Sequence, residues 1–184
     1  MFDEKYKSEK CLWGKEPIKS VKSILKYKNS GDVLDMGVGE GRNSIFLAKQ
    51  GFNVTGVDIS KEAIEKFKRI ADGENLKVEG IREDIRNFKF NKKYDVIISA
   101  TTLHFLDEKS IKKIIEKMKA HTKLNGINLI TVFTEENPSK NFSHLFKKGE
   151  LKSYYPDWEI IGYKEIITPV EKHGLALIFA IRTS

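Results

Sequence analysis

Hydrophobic positions along this 184-residue chain follow two spacings. Short apolar runs bounded by Gly, Asn, Asp or Ser read as buried strands: 32–36, 52–58, 76–80, 94–99 and 127–133. Between them, apolar residues recur near a 3.6 period, the mark of a helix with one face in a core. Ile18, Val21, Ile24 and Leu25 predict a helix over 15–28, with Pro17 in its first turn. Ile45, Phe46 and Ala48 predict one over 40–50, stopped by Gly51. Ala63, Ile64, Phe67, Ile70 and Ala71 predict a third, capped by Ser60 and ended by Gly73. Ile111, Ile114, Ile115 and Met118 predict a fourth over 108–121, before a turn at Asn125-Gly126. Residues 134–156 read as irregular apart from a short helix near 150–154. The apolar runs 158–167 and 175–181 then read as a closing strand pair. Seven strands in this order predict an α/β fold: a three-layer, doubly wound, mostly parallel seven-stranded sheet with a C-terminal antiparallel pair. The chain reads as a single domain, 1–184, opening with an arm and helix over residues 1–30.

The chemistry gathers at Val33-Leu34-Asp35-Met36-Gly37-Val38-Gly39-Glu40-Gly41, a strand followed by a glycine turn and a helix start. Glycines allow the sharp turn and the close approach of a ligand. A turn after the first strand of such a sheet is where nucleotide-like ligands bind. The spacing is G-x-G-x-G, with the third glycine one position too early for the dinucleotide pattern G-x-G-x-x-G. Asp58, at the end of the second strand, lies where a ribose hydroxyl acceptor is needed. Its neighbour Ile59 can lie against a base.

The stretch from Val33 to Gly41 resembles motif I of the class I S-adenosylmethionine (SAM) methyltransferases, whose fold is Rossmann-like. The resemblance implies SAM as cofactor and S-adenosylhomocysteine (SAH) as product. It implies that Asp35, Gly37, Gly39 and Arg42 hold the methionine end, and that Asp58 and Ile59 take the ribose and adenine. Asp84 is expected to accept the adenine amine, with Ile85 giving backbone or wall. Ser99, Ala100 and Thr101 are expected beside the departing methyl, and Trp13, with Tyr6, in a covering arm. A narrower likeness is to the tellurite-resistance branch of small-molecule methyltransferases. It rests on Leu34 to Ser44, on Phe146…Gly149-Glu150-Leu151…Tyr154-Tyr155…Trp158-Glu159, and on Leu12-Trp13-Gly14-Lys15-Glu16-Pro17. Arginines near the substrate in that branch are absent from the last hairpin, which offers Lys172 and His173.

His104, after the fourth strand, is the one candidate general base there, and His173 the second candidate catalytic group. The structural alternative for His104 is a histidine fixed at a helix entrance. The expected reaction is methyl transfer to a small molecule: a chalcogen oxyanion such as tellurite or selenite, or another soft nucleophile. The alternatives are an RNA or protein methyltransferase, or a SAM-binding module without activity.

Composition narrows the partners. A net charge of +7 permits attraction to anions, but the scattered lysines lack the arginine and aromatic clustering of a nucleic-acid site. A single cysteine, Cys11, excludes an internal disulfide and disfavours thiol-dependent arsenic chemistry. No metal site is expected. No apolar run is long enough to span a membrane, and the first residues lack a signal peptide's apolar core, so a cytoplasmic protein is the expectation.

Overall fold

The computed structural model of the chain describes residues 2–7 and 11–184. It divides into two compact units, 1–89 and 90–184. The first unit runs α1 (Phe2–Tyr6), α2 (Lys19–Lys22), β1 (Asp32–Met36), α3 (Arg42–Lys49), β2 (Asn53–Asp58), α4 (Lys61–Gly73) and β3 (Val78–Arg82). Its strands are parallel in the order β3-β2-β1. Val33, Leu34, Met36 and Val57 are buried in β1 and β2, and burial runs along both strands without alternation, as expected where helices cover both faces.

The helix after β2 is fixed at both ends of its apolar stripe. The Ser60 hydroxyl accepts the Ala63 N–H at 3.2 Å, capping α4. One turn further on, Phe67 packs against the glycine turn that follows β1. A Cβ on Gly41 would stand 2.2 Å from the Phe67 ring, and one on Gly56 2.8 Å from it. Gly41 also has φ +84°, in the left-handed region.

The second unit runs β4 (Tyr94–Ala100), α5 (Glu108–Ala120), β5 (Thr122–Phe133), α6 (Glu150–Ser153), β6 (Glu159–Ile167) and β7 (Gly174–Ile181). β4 and β5 are parallel, and β7 runs antiparallel to both β5 and β6. The expected C-terminal antiparallel pair is therefore present, with β7 inserted between β5 and the edge strand β6. A buried polar chain ties this unit together. The Tyr155 hydroxyl donates to Asn128 Oδ1 at 3.0 Å, Asn128 Nδ2 donates to Thr122 Oγ1 at 2.7 Å, and that hydroxyl donates to the Met118 carbonyl at 2.7 Å.

Three departures from the sequence pattern bear on how the chain is held. The helix expected over 15–28 shrinks to α2 and a 3-10 turn over Ser23–Lys26. Pro17 disfavours helix at the preceding residue, and extended Ile18 gives its N–H to Asn43 Oδ1 instead. β3 starts two residues late because its register is set by pairing Val54 with Val78. β5 starts at Thr122 and runs through Asn125-Gly126, with Asn125 held at φ +60° inside the strand.

Two alanine substitutions separate backbone strain from packing. Gly41→Ala meets both and is expected to destabilise the chain by about 3 kcal/mol or more. Gly51→Ala, at φ +91° but with open space around it, should cost only the strain, about 1–2 kcal/mol. Urea unfolding midpoints of the two variants check the difference; equal losses would contradict the Phe67 contact.

Candidate functional site

The first unit presents a cradle at the carboxyl ends of β1 and β2. The chain leaves β1 and turns at once, with the Gly37 and Val38 N–H groups donating to the Val57 carbonyl at 2.8 and 3.0 Å. Gly37 and Gly39 sit at φ +85° and +54°. This exposes the backbone of the turn to the end of β2, where Asp58 stands. The Asp58 carboxylate accepts the Gly39 N–H and the Ser60 N–H, each at 2.9 Å. Burial raises its pKa, against the lowering effect of those two backbone bonds. Ile59 beside it is 50% exposed, an apolar side chain left in the open at the rim.

Asp35 lies beneath the turn. Ser44 Oγ donates to its Oδ2 at 2.8 Å, while its Oδ1 is buried without a hydrogen-bond partner. Burial raises the Asp35 pKa to about 7; the Ser44 bond opposes this and the charge of Asp58 adds to it. An unpartnered buried carboxylate oxygen costs free energy unless a donor arrives. Arg42 Nη1 donates to the Trp13 carbonyl at 2.8 Å, bringing the arm onto the start of α3. Trp13 itself is 57% exposed.

The two expected adenine contacts have partners of their own. Asp84 does follow β3, but its carboxylate is engaged by Arg86, with Nε at 3.0 Å from both oxygens and the Arg86 backbone N–H at 2.9 Å from Oδ1. That side-chain bond also lowers the Asp84 pKa. Ile85 is buried, its side chain in the core, while Ile59, next to Asp58 in sequence, is an exposed apolar side chain.

In the second unit, Ser99 is buried near the end of β4, and Ala100 and Thr101 are partly exposed at its end. Thr101 is held at φ +54° by its N–H bonds to the Thr131 carbonyl and hydroxyl, at 2.8 and 3.1 Å. His104 follows, fully buried in an aromatic cluster. Its ring stacks on Phe133 at 4.3 Å and meets Phe105 at 4.5 Å and Phe142 edge-on at 4.8 Å. Nδ1 accepts the Phe133 N–H at 3.3 Å, which puts the ring proton on Nε2. Burial lowers the His104 pKa to about 3. A neutral, enclosed imidazole whose basic nitrogen already accepts a backbone bond favours the structural alternative for His104, a histidine fixed at the helix entrance. His173 is partly buried, its ring 5.1 Å from that of Phe133. Among the described residues, no group of three or more His, Cys, Asp or Glu side chains is placed to hold a metal ion.

The sequence pattern singled out neither Glu40 nor Ser44, both of which act on the cradle. They read there as polar residues around a turn, and only spatial contact gives them a role.

Asp35 and His104 drive stability in opposite directions with pH. The folded chain holds Asp35 protonated up to about 7 against 3.8 in the ordinary carboxyl, so its contribution grows as pH falls through that window. Folded His104 resists protonation down to about 3, against 6.5 for a free histidine, so stability is lost as pH drops below 6.5. Melting temperatures between pH 4 and 7.5 should therefore fall more steeply in Asp35→Asn than in the parent, and less steeply in His104→Gln. Parallel curves would contradict both placements.

The chain is similar to known proteins over most of its length. The family model "Tellurite resistance protein TehB" matches residues 1–174. The chain is 36% identical over 143 residues to the probable S-adenosyl-L-methionine-dependent methyltransferase TehB of Haemophilus influenzae, covering 76% of this chain and 50% of that one. The crystal structure of TehB from Haemophilus influenzae superposes with a TM-score of 0.84 at 30% identity, covering 98% of this chain and 65% of the other. The N-methyltransferase NodS from Bradyrhizobium japonicum, solved with SAH, shares the fold at a TM-score of 0.82 and 12% identity, covering all of this chain and 97% of that one. The chain spans about half the length of the curated relatives it matches. The seven strands and their antiparallel ending are thus those of the Rossmann-like methyltransferase fold, and the chain belongs to the TehB tellurite-resistance family.

Proposed function

We propose that this chain is a SAM-dependent methyltransferase acting on a small-molecule acceptor. The observation that carries the reading is Asp58: a carboxylate at the end of β2, held against the glycine turn by the Gly39 and Ser60 N–H groups. Each of its oxygens keeps a lone pair beyond those bonds, which supports a role in accepting from two neighbouring hydroxyls such as a ribose carries. Other residues fit the same group. Asp35 offers an unpartnered oxygen to an ammonium. Arg42 brings positive charge to the same turn, suited to a carboxylate. Ile59 gives an exposed apolar surface for adenine. Ser99, Ala100 and Thr101 close the list of proposed cofactor contacts, with Asp84 available only where Arg86 shares it.

When bound, the cofactor supplies a methyl group on a sulfonium, already a good electrophile, so the protein's part is alignment and exclusion of water. An acceptor with a free lone pair needs no strong base, which accords with a neutral, enclosed His104. The acceptor we favour is a chalcogen oxyanion or another soft nucleophile. Lys172, exposed in the β6–β7 turn, and His173 next to it are the proposed anion contacts. Lysine is a point charge and cannot form the bidentate fork of arginine, so turnover of selenite or tellurite should be slow.

Calorimetry tests the cofactor: the chain should bind SAM and SAH but not NAD. Asp58→Ala should weaken SAH binding by about 1.5–3 kcal/mol, the range for hydrogen bonds to a charged group, with the circular dichroism spectrum preserved. A folded variant with the parent's affinity would sink the assignment. For the acceptor, SAH release with selenite or tellurite should fall in a Lys172→Ala/His173→Ala double variant. Unchanged release would remove the hairpin from the acceptor site.

A further inference from the structure

Glu40 stands between Gly39 and Gly41 in the turn itself, with a side chain only 4% exposed. One carboxylate oxygen pairs with Lys66 of α4, whose side chain is equally buried. The other accepts the Leu12 N–H at 2.7 Å and, more loosely, the Trp13 N–H at 3.4 Å. The arm makes further attachments around this point. Arg42 holds the Trp13 carbonyl. The Tyr6 hydroxyl lies over Gly39, 3.0 Å from where a Cβ would stand. Asp3 accepts from Ser60 Oγ at 2.5 Å.

A buried ion pair is a costly way to stabilise a core. Desolvation offsets most of the attraction, and apolar residues of similar size often serve as well. An apolar pair cannot, however, accept backbone N–H groups from a segment 27 and 28 residues away in sequence. Lys66 holds one oxygen of Glu40 and aims the carboxylate, and the arm's amides take the remaining oxygen. We propose that Glu40, held by Lys66, is a positioning residue that fastens the N-terminal arm across the glycine turn and so sets how long the cofactor stays bound. This rests on the cofactor reading above.

The test uses the full chain in three forms: parent, Glu40→Gln, and Glu40→Met with Lys66→Met. The double variant removes both charges and so remains foldable. Three quantities are measured: SAH association and release rates, trypsin cleavage at the exposed arm lysines Lys7 and Lys15, and the melting temperature. In both variants SAH should leave about tenfold faster or more, the loss of a charge-assisted hydrogen bond, with association little changed. Cleavage at Lys15 should rise in step, and in the parent SAH should slow it. The double variant should show both effects while keeping the parent's melting temperature. Parent-like release and arm cleavage in the folded double variant would overturn the inference and leave the cofactor reading standing. A parent chain that binds no SAH would overturn the cofactor reading and this coupling with it.

Discussion

The bond pair made by Asp58 is the constraint on which the first unit depends. Its carboxylate takes one N–H from the turn after β1 and one from the residue that begins the next helix. Ser60, so placed, caps α4. The helix then carries Phe67 back to the turn, where its ring fills the space that a side chain at Gly41 would need. The circuit closes on itself: turn, carboxylate, cap, helix, ring, turn. Each link requires a residue type that could not be exchanged freely. Glycine is needed where Phe67 arrives, a short acid where two amides converge, and a hydroxyl where the helix starts. A turn with this much internal restraint keeps its geometry without a ligand, and restraint of that kind saves binding energy for affinity rather than ordering.

Acidic groups and their partners then divide the work by burial. Asp3, near the surface, and Glu40, deep within the turn, both hold the arm, but only Glu40 is compensated by a buried cation. Asp35 has a hydroxyl partner and one vacant oxygen, and its proton affinity rises accordingly. In the second unit, the corresponding polar group is an imidazole enclosed by rings, kept neutral by the same desolvation. Proton transfer at that place is disfavoured, and polarisable aromatic surface takes its place.

Much of this was legible in the sequence because it rests on local rules. Strand cores, the Ser60 cap and the apolar stripe of α4 follow from periodicity and short-range hydrogen bonding, and the structure has them where the pattern does. The G-x-G-x-G turn and the acid ending β2 were legible for the same reason. What escaped depended on spatial contacts that periodicity does not report. Ile18 gives up a helical conformation for Asn43, 25 residues away. Asp84 is read as a free acceptor until Arg86 folds back on it. Ile85 looks like a pocket wall until its burial is seen. Glu40 resembles any polar loop residue until Lys66 and the arm meet it.

The central claim is that the turn after β1 and the end of β2 form one cofactor cradle. Amide resonances of the full chain followed during titration with SAH test it most directly. The account predicts that the largest shifts fall on Gly37, Gly39, Asp58 and Ser60, with Leu12 and Trp13 following through Glu40. Saturable binding whose shifts leave Gly39 and Asp58 untouched would contradict it.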